Sequence, residues 1–196
     1  MRLNSARQAW HDAYYQPWDS VMAVASEWAK LGASVQTTCK SVNANHAAHQ
    51  AIAGAVQAVI SKLPPNLRAF GDFMYSPLDQ PAQREMAEAG VFRIAVEACQ
   101  RMTQKKFDRA EFVAKGVLFR YRMMNQGGQG GCSDPLDKPE AFREWLYQVY
   151  GVKLDSRNWE REWQPFCEAC FGACNDFDRR ALGPVSTVIA ELSEVA

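Results

Sequence analysis

Cys167, Cys170 and Cys174 are the first residues whose spacing allows chemistry. Cys-x2-Cys is a zinc-ligand spacing, and Cys132 offers a further thiolate. The same intervals of three and four also define one face of a helix, from which thiolates on successive turns converge poorly on a tetrahedral ion. A second Cys-x2-Cys is absent, so the expectation is a buried apolar face rather than a metal centre. His46 and His49, three apart, have no clear third ligand. The tract Gly127-Gly128-Gln129-Gly130-Gly131 lacks the Gly-Lys-Ser/Thr ending and the preceding strand of a phosphate loop. Glu160 and Glu162 face different sides of a helix, and no Gly-x-Ser-x-Gly elbow occurs. These readings predict a protein that is not an enzyme and holds neither metal nor cofactor.

The elements that must position these residues are helical. Trp18, Val21, Met22, Ala25 and Trp28 follow helical spacing, with Pro17 before them and Gly32 after. Ile52, Val56, Ile60 and Leu63 form a second stripe that Pro64-Pro65 terminates. A short helix over 66–75 turns Leu67, Phe70 and Met74 inward, and Pro77 closes it. Asp79 is placed to cap a helix starting near Pro81, Ala89-Gly90-Val91 to interrupt it, and a further helix to run from Phe92 to about Met102. The next helix, 107–124, puts Phe107, Ala110, Ala114, Val117, Leu118 and Tyr121 on one side. Beyond the glycine tract, Asp137 and Glu140 with Pro139 between them read as a capping signature. Phe142, Trp145, Leu146 and Val149 read as a core face, and Gly151 as the stop. An aromatic helix carries Trp159, Trp163, Phe166, Cys170 and Phe177, with Pro165 as a kink or the true start, and Gly183-Pro184 sets off a last helix. No strand pattern competes, so the predicted fold class is all-α. The predicted organisation is an N-terminal region 1–125, a glycine-rich loop 126–136 and a C-terminal region 137–196.

At 47% apolar content a real core can form. No apolar run approaches the roughly 18 residues of a membrane span, and the polar start lacks a signal-peptide stretch. The expected location is therefore cytoplasmic, with the six cysteines reduced. Zero net charge hides an asymmetry. Residues 84–133 carry nine basic and five acidic side chains, whereas 134–196 carry seven basic and twelve acidic. A basic middle permits local contact with nucleic acid; complementarity between the two parts is the other reading.

The two predicted helices around Ala89-Gly90-Val91 have helix-turn-helix proportions. Arg93, Arg101, Lys105, Lys106 and Arg109 lie on and after the second helix, where they can neutralise phosphates or read base edges, and Arg84 on the first can reach the backbone. Ala55-Val56-Gln57-Ala58-Val59, Leu63-Pro64, Leu67-Arg68, Phe73-Met74-Tyr75 and Glu85 to Val91 follow one another in an order that resembles region 4 of bacterial sigma factors and the related domain of Q-type antiterminators of lambdoid phages. The Trp18 and Trp28 segment also looks like the Q-type pattern, and the resemblance covers about half the chain. Two features depart from it. Ala87 stands three residues before Gly90 instead of four, leaving Met86 in the alanine position, and Phe92 and Ile94 are apolar for a DNA-facing helix start.

The resemblance implies a sigma-region-4-like DNA-binding part at about 46–106 in a phage or prophage protein. It implies double-stranded DNA and bacterial RNA polymerase as partners, and an activity that loads near a promoter and suppresses pausing and termination. The residues themselves leave two other classes open: a simple helix-turn-helix regulator, and a helical interaction or inhibitor protein without DNA contact. No membrane partner is expected, and self-association stays open.

Overall fold

The computed structural model describes residues 6–14, 40–78, 80–99, 102–126, 134, 136–155 and 157–195. Among them the regular structure is helical throughout: α1 (Ala6–Tyr14), α2 (Lys40–Ser61), α3 (Pro65–Tyr75), α4 (Pro81–Ala98), α5 (Gln104–Gln126), α6 (Pro139–Tyr150), α7 (Trp159–Glu162) and α8 (Gln164–Val195). The fold is an all-α helical bundle, and no described helix is long and apolar enough to cross a membrane. The expected Trp18–Trp28 helix and the glycine tract lie outside the described residues.

The chain forms two compact units. The first comprises Met1–Pro64, Tyr75–Asp79 and Ala181–Ala196. In it α1 packs on α2, and the Gln57 side-chain amide donates to the carbonyl of Ala13 at 2.6 Å, closing the exposed end of α1. Trp10 is fully buried and meets Tyr75 at 6.4 Å between ring centroids. Val56 and Ile60 are fully buried, while Ile52 and Leu63 are half-buried flanks of the same stripe. The amides of Lys62 and Leu63 bond three residues back, to Val59 and Ile60, tightening the last turn before the prolines.

The second unit comprises Pro65–Met74 and Gln80–Arg180. Its spine is α5, where Ala110, Val113, Ala114, Val117 and Leu118 are fully buried and Tyr121 nearly so. Helical spacing of small and β-branched residues lets three helices approach that spine. α6 nests at Gly116, where an added Cβ would stand 2.8 Å from the Phe142 ring. α8 is held at Tyr121, whose hydroxyl donates to Asn175 Oδ1 at 3.0 Å. α4 is held by Phe92, set edge-on to Phe107 at 5.2 Å. From α3, Phe70 meets Phe177 at 5.3 Å and Tyr121 at 6.4 Å. The expected inward residues Leu67, Phe70 and Met74 are all buried.

Several boundaries differ from the sequence expectation, each for a local reason. Residues 81–98 form one uninterrupted helix, so Ala89-Gly90-Val91 is not a turn, and the helix stops at Ala98 instead of Met102. Among the described residues the only positive-φ glycine is Gly151. Gly90 lacks a side chain because α8 crosses there: a Cβ would lie 3.1 Å from Phe177. Gly183-Pro184 does not break α8 either, and Pro184 lies inside it. The Gly183 carbonyl accepts the hydroxyls of Ser186 at 2.7 Å and Thr187 at 3.2 Å, while the buried residues Ala181, Val185 and Ile189 keep helical spacing across the proline. Pro165 is the second residue of α8, where a missing amide hydrogen costs nothing, and so marks its start.

Lys138, not Asp137, is the N-cap of α6, and it makes no side-chain capping bond; Glu140 turns to Arg143 instead. Asp79 lies outside the described residues, and the N-cap of α4 is Gln80. Val149 points outward at 51% exposure, whereas Phe142 and Leu146 are fully buried. Gly151 does end α6, at φ 68°, with its amide bonded to the Tyr147 carbonyl. The units also divide the chain otherwise than at the glycine tract. α5 and α6 flank that tract and share one unit, because Phe142 and Leu146 fill the space above Gly116.

Candidate nucleic-acid interface

The predicted DNA-contacting cations fall into two environments. Phe92 on Phe107 pins the second half of α4 to the first turns of α5, which sets Arg93, Lys105, Lys106 and Arg109 along the same end of that helix pair. Arg93 and Lys105 are exposed and Arg109 is half-buried; none makes an ion pair with a described residue. Lys106 is half-buried, with its ammonium 5.4 Å from the centre of the Trp163 ring. That contact covers the lysine stem while leaving its charge unneutralised. Arg101 lies outside the described residues. Lys105 and Lys106 occupy the first turn of α5, where the helix dipole disfavours cations and attracts anions. No described acidic side chain offsets these cations by an ion pair.

Arg84 belongs to a different arrangement. Its Nε donates to Glu88 Oε1 at 2.7 Å and its Nη2 to the Tyr150 hydroxyl at 3.4 Å. Glu88 is a buried acid on the α5-facing side of α4, and Lys115 approaches its other oxygen at 4.0 Å while bonding Glu111 at 2.8 Å. The hydrogen bond to Glu88 raises the Arg84 pKa, and the bond to Glu111 raises that of Lys115. The network joins α4, α5 and α6, so Arg84 serves helix packing with one face of its guanidinium and offers only the remainder to an external anion. The interval of four between Arg84 and Glu88 was open to the sequence reading, whereas the approach of Tyr150 and Lys115 to the same pair comes from other helices.

The cysteine face also takes definite form. Cys167, Cys170 and Cys174 occupy successive turns of α8 and are buried, with free thiols. Burial pushes the Cys167 thiol up to about 12, the charge of Arg120 opposing it, and pushes Cys170 and Cys174 up as well. Among the described residues no group of three His, Cys, Asp or Glu side chains converges as a metal site. Cys132 lies outside the described residues, and His49 is exposed on α2. Native protein at pH 8 is therefore expected to keep these three cysteines unmodified by iodoacetamide, whereas denatured protein should alkylate at all three. Peptide mass mapping decides it; rapid native modification of Cys170 would place that thiol at the surface.

Two features escaped the sequence reading. Arg120 is nearly buried between the rings of Phe142 and Phe171, at 5.5 and 5.2 Å, and pairs with Asp134. Arg143, Arg157 and Arg161 line a cavity of about 460 Å³ together with Trp159. The only sequence signal for the latter was the interval of four between Arg157 and Arg161 around a tryptophan, set in an acidic part of the chain. In comparisons with protein families, curated proteins and solved structures, the chain matches none of them.

Proposed function

We propose that the protein is a DNA-binding transcription antitermination factor that loads onto RNA polymerase near a promoter and suppresses pausing and termination. The observation that carries the DNA part is the set of unneutralised cations, Arg93, Lys105, Lys106 and Arg109, on one end of the α4–α5 pair. A helix-turn-helix in this reading consists of α4 and α5, with residues 99–103 as the connection in place of 89–91. α5 is then the second helix, and its first turns supply the contacts, as the N-terminal residues of such helices do. The order of α2, the Leu63-Pro64 junction and α3 ahead of this pair is similar to sigma region 4, and the aromatic C-terminal helices suit a protein partner.

The reading is tested in two steps. Lys105→Ala and Arg109→Ala should each weaken duplex-DNA binding and lower the slope of log affinity against log salt by about one. Arg93→Ala, on the first helix of that pair, should weaken specific and unrelated duplex alike, as loss of a backbone contact does. Unchanged affinity in all three, with helicity intact, removes the DNA assignment. Single-round transcription on templates with and without the promoter-proximal element then reads antitermination directly. Increased read-through at a distant intrinsic terminator, dependent on the element, is the expected result; altered initiation with constant read-through makes the protein an ordinary regulator.

A further inference from the structure

A cavity beside α6 and α7 is an unassigned site among the described residues. Its wall carries Arg143, Arg157, Arg161 and the half-buried indole of Trp159, with Glu140 and Glu160 at the same cavity. The three arginines are not equivalent. Arg143 is held in place: its Nε donates to the Pro139 carbonyl at 3.2 Å, Nη2 lies 3.6 Å from Glu140, and the guanidinium sits 6.0 Å from the Trp159 ring centre. Glu140 is thus already matched by Arg143. Arg157 and Arg161 are exposed and make no ion pair with a described residue. Both line the cavity, Arg157 just ahead of α7 and Arg161 within it, where the Asn158 carbonyl accepts the Arg161 amide at 3.2 Å.

Like charges that line one cavity repel, and an anion bound among them relieves the repulsion. Two guanidinium forks match phosphate oxygens in geometry and charge. Trp159 packs edge-on against Phe142 at 5.9 Å, so its position is set before a ligand arrives. A tryptophan adjoining an arginine pair is the combination that binds a phosphate and an aromatic base together. A cavity of about 460 Å³ is in the size range of small-molecule sites.

We propose that this cavity binds a nucleotide, with Arg157 and Arg161 on the phosphate and Trp159 against the base. The ligand is either a free nucleotide or one unit of a single strand. The site is separate from the cations of the α4–α5 pair and does not depend on the duplex-DNA reading.

The test uses the full chain, with a fluorescein-labelled oligouridylate, uridine monophosphate and inorganic phosphate as probes. Arg157→Gln combined with Arg161→Gln should lower strand affinity about tenfold or more and reduce its salt slope by about 1.4, at about 0.7 per lost contact on a single strand. Duplex-DNA binding should not change. Trp159→Phe keeps a ring on Phe142 and should weaken uridine monophosphate several-fold while leaving inorganic phosphate unaffected. Competition by uridine monophosphate against the labelled strand identifies a free nucleotide as a sufficient ligand; strand binding without that competition, still lost in the arginine variant, assigns the site to a strand. The proposal is overturned if neither probe binds, if the double arginine variant binds like the parent, if inorganic phosphate competes as well as the nucleotide, or if strand and duplex affinity fall together.

Discussion

Asp134→Ala is expected to lower the unfolding free energy by about 3–5 kcal/mol, because it leaves a nearly buried guanidinium without its partner. Arg120 and Asp134 are only 12% and 13% exposed as side chains, and Arg120 Nε donates to Asp134 Oδ2 at 3.1 Å while Nη2 donates to the same oxygen. The other carboxylate oxygen accepts the Leu136 amide at 2.9 Å, which orders the chain entering α6. Asp137, at 4.0 Å from Arg120 and largely exposed, is too distant and too well solvated to replace Asp134. Asp134→Asn keeps an acceptor for Leu136 but removes the charge, so its loss should fall between parent and alanine. Arg120→Met with Asp134→Leu should be far less damaging than either single loss, since burying no charge at all avoids the desolvation cost. Urea unfolding followed by circular dichroism measures all of these. A loss below about 0.5 kcal/mol for Asp134→Ala would class the pair with exposed surface bridges.

Phe177→Ala is expected to cost about 3–5 kcal/mol as a cavity at the centre of the second unit. The ring is fully buried, 5.3 Å from Phe70, and within 3.1 Å of where a Cβ on Gly90 would stand. This contact yields a sharper result in combination with Gly90→Ala. In the parent protein the added methyl presses on a ring that cannot withdraw, and the expected overpacking cost of about 1–3 kcal/mol outweighs the helix-propensity gain of about 1 kcal/mol. With Phe177 truncated, the same methyl enters open space and Gly90→Ala should become stabilising. A change of sign between the two backgrounds identifies Gly90 as a helix crossing point. If Gly90 instead supplied a turn with positive φ, alanine would be destabilising in both.

These two pairs show which parts of the molecule were legible. The intervals of three and four among Val56 and Ile60, Leu67, Phe70 and Met74, and Ala110 to Tyr121 were enough to place α2, α3 and α5 and to name their buried faces, because each face is written within one helix. Gly151 was legible as a stop for the same reason: a left-handed cap is a local backbone requirement. Gly90, Gly116 and Gly183 carry the same letter with other meanings. Two make room for aromatic rings arriving from elsewhere in the chain, and one lies inside a helix whose buried residues continue past the next proline.

The sequence by itself determined an all-α protein, its main apolar stripes, a basic middle and a set of cations suited to nucleic acid. The tertiary structure decided the surroundings of those cations. The Arg84–Glu88 pair, one turn apart on α4, was joined there by Tyr150 and Lys115, whereas Arg93, Lys105 and Arg109 kept their charge without a described ion-pair partner. It also decided that Arg120 would meet Asp134 across fourteen residues, and that Arg143 would face Arg157, Arg161 and Trp159 around one cavity. The physical reason is the same throughout. Secondary structure follows from periodicity that neighbouring residues carry among themselves, whereas the partner of a charge or the filler beneath a glycine depends on which helix packs there, and that is settled by burial summed over the whole unit.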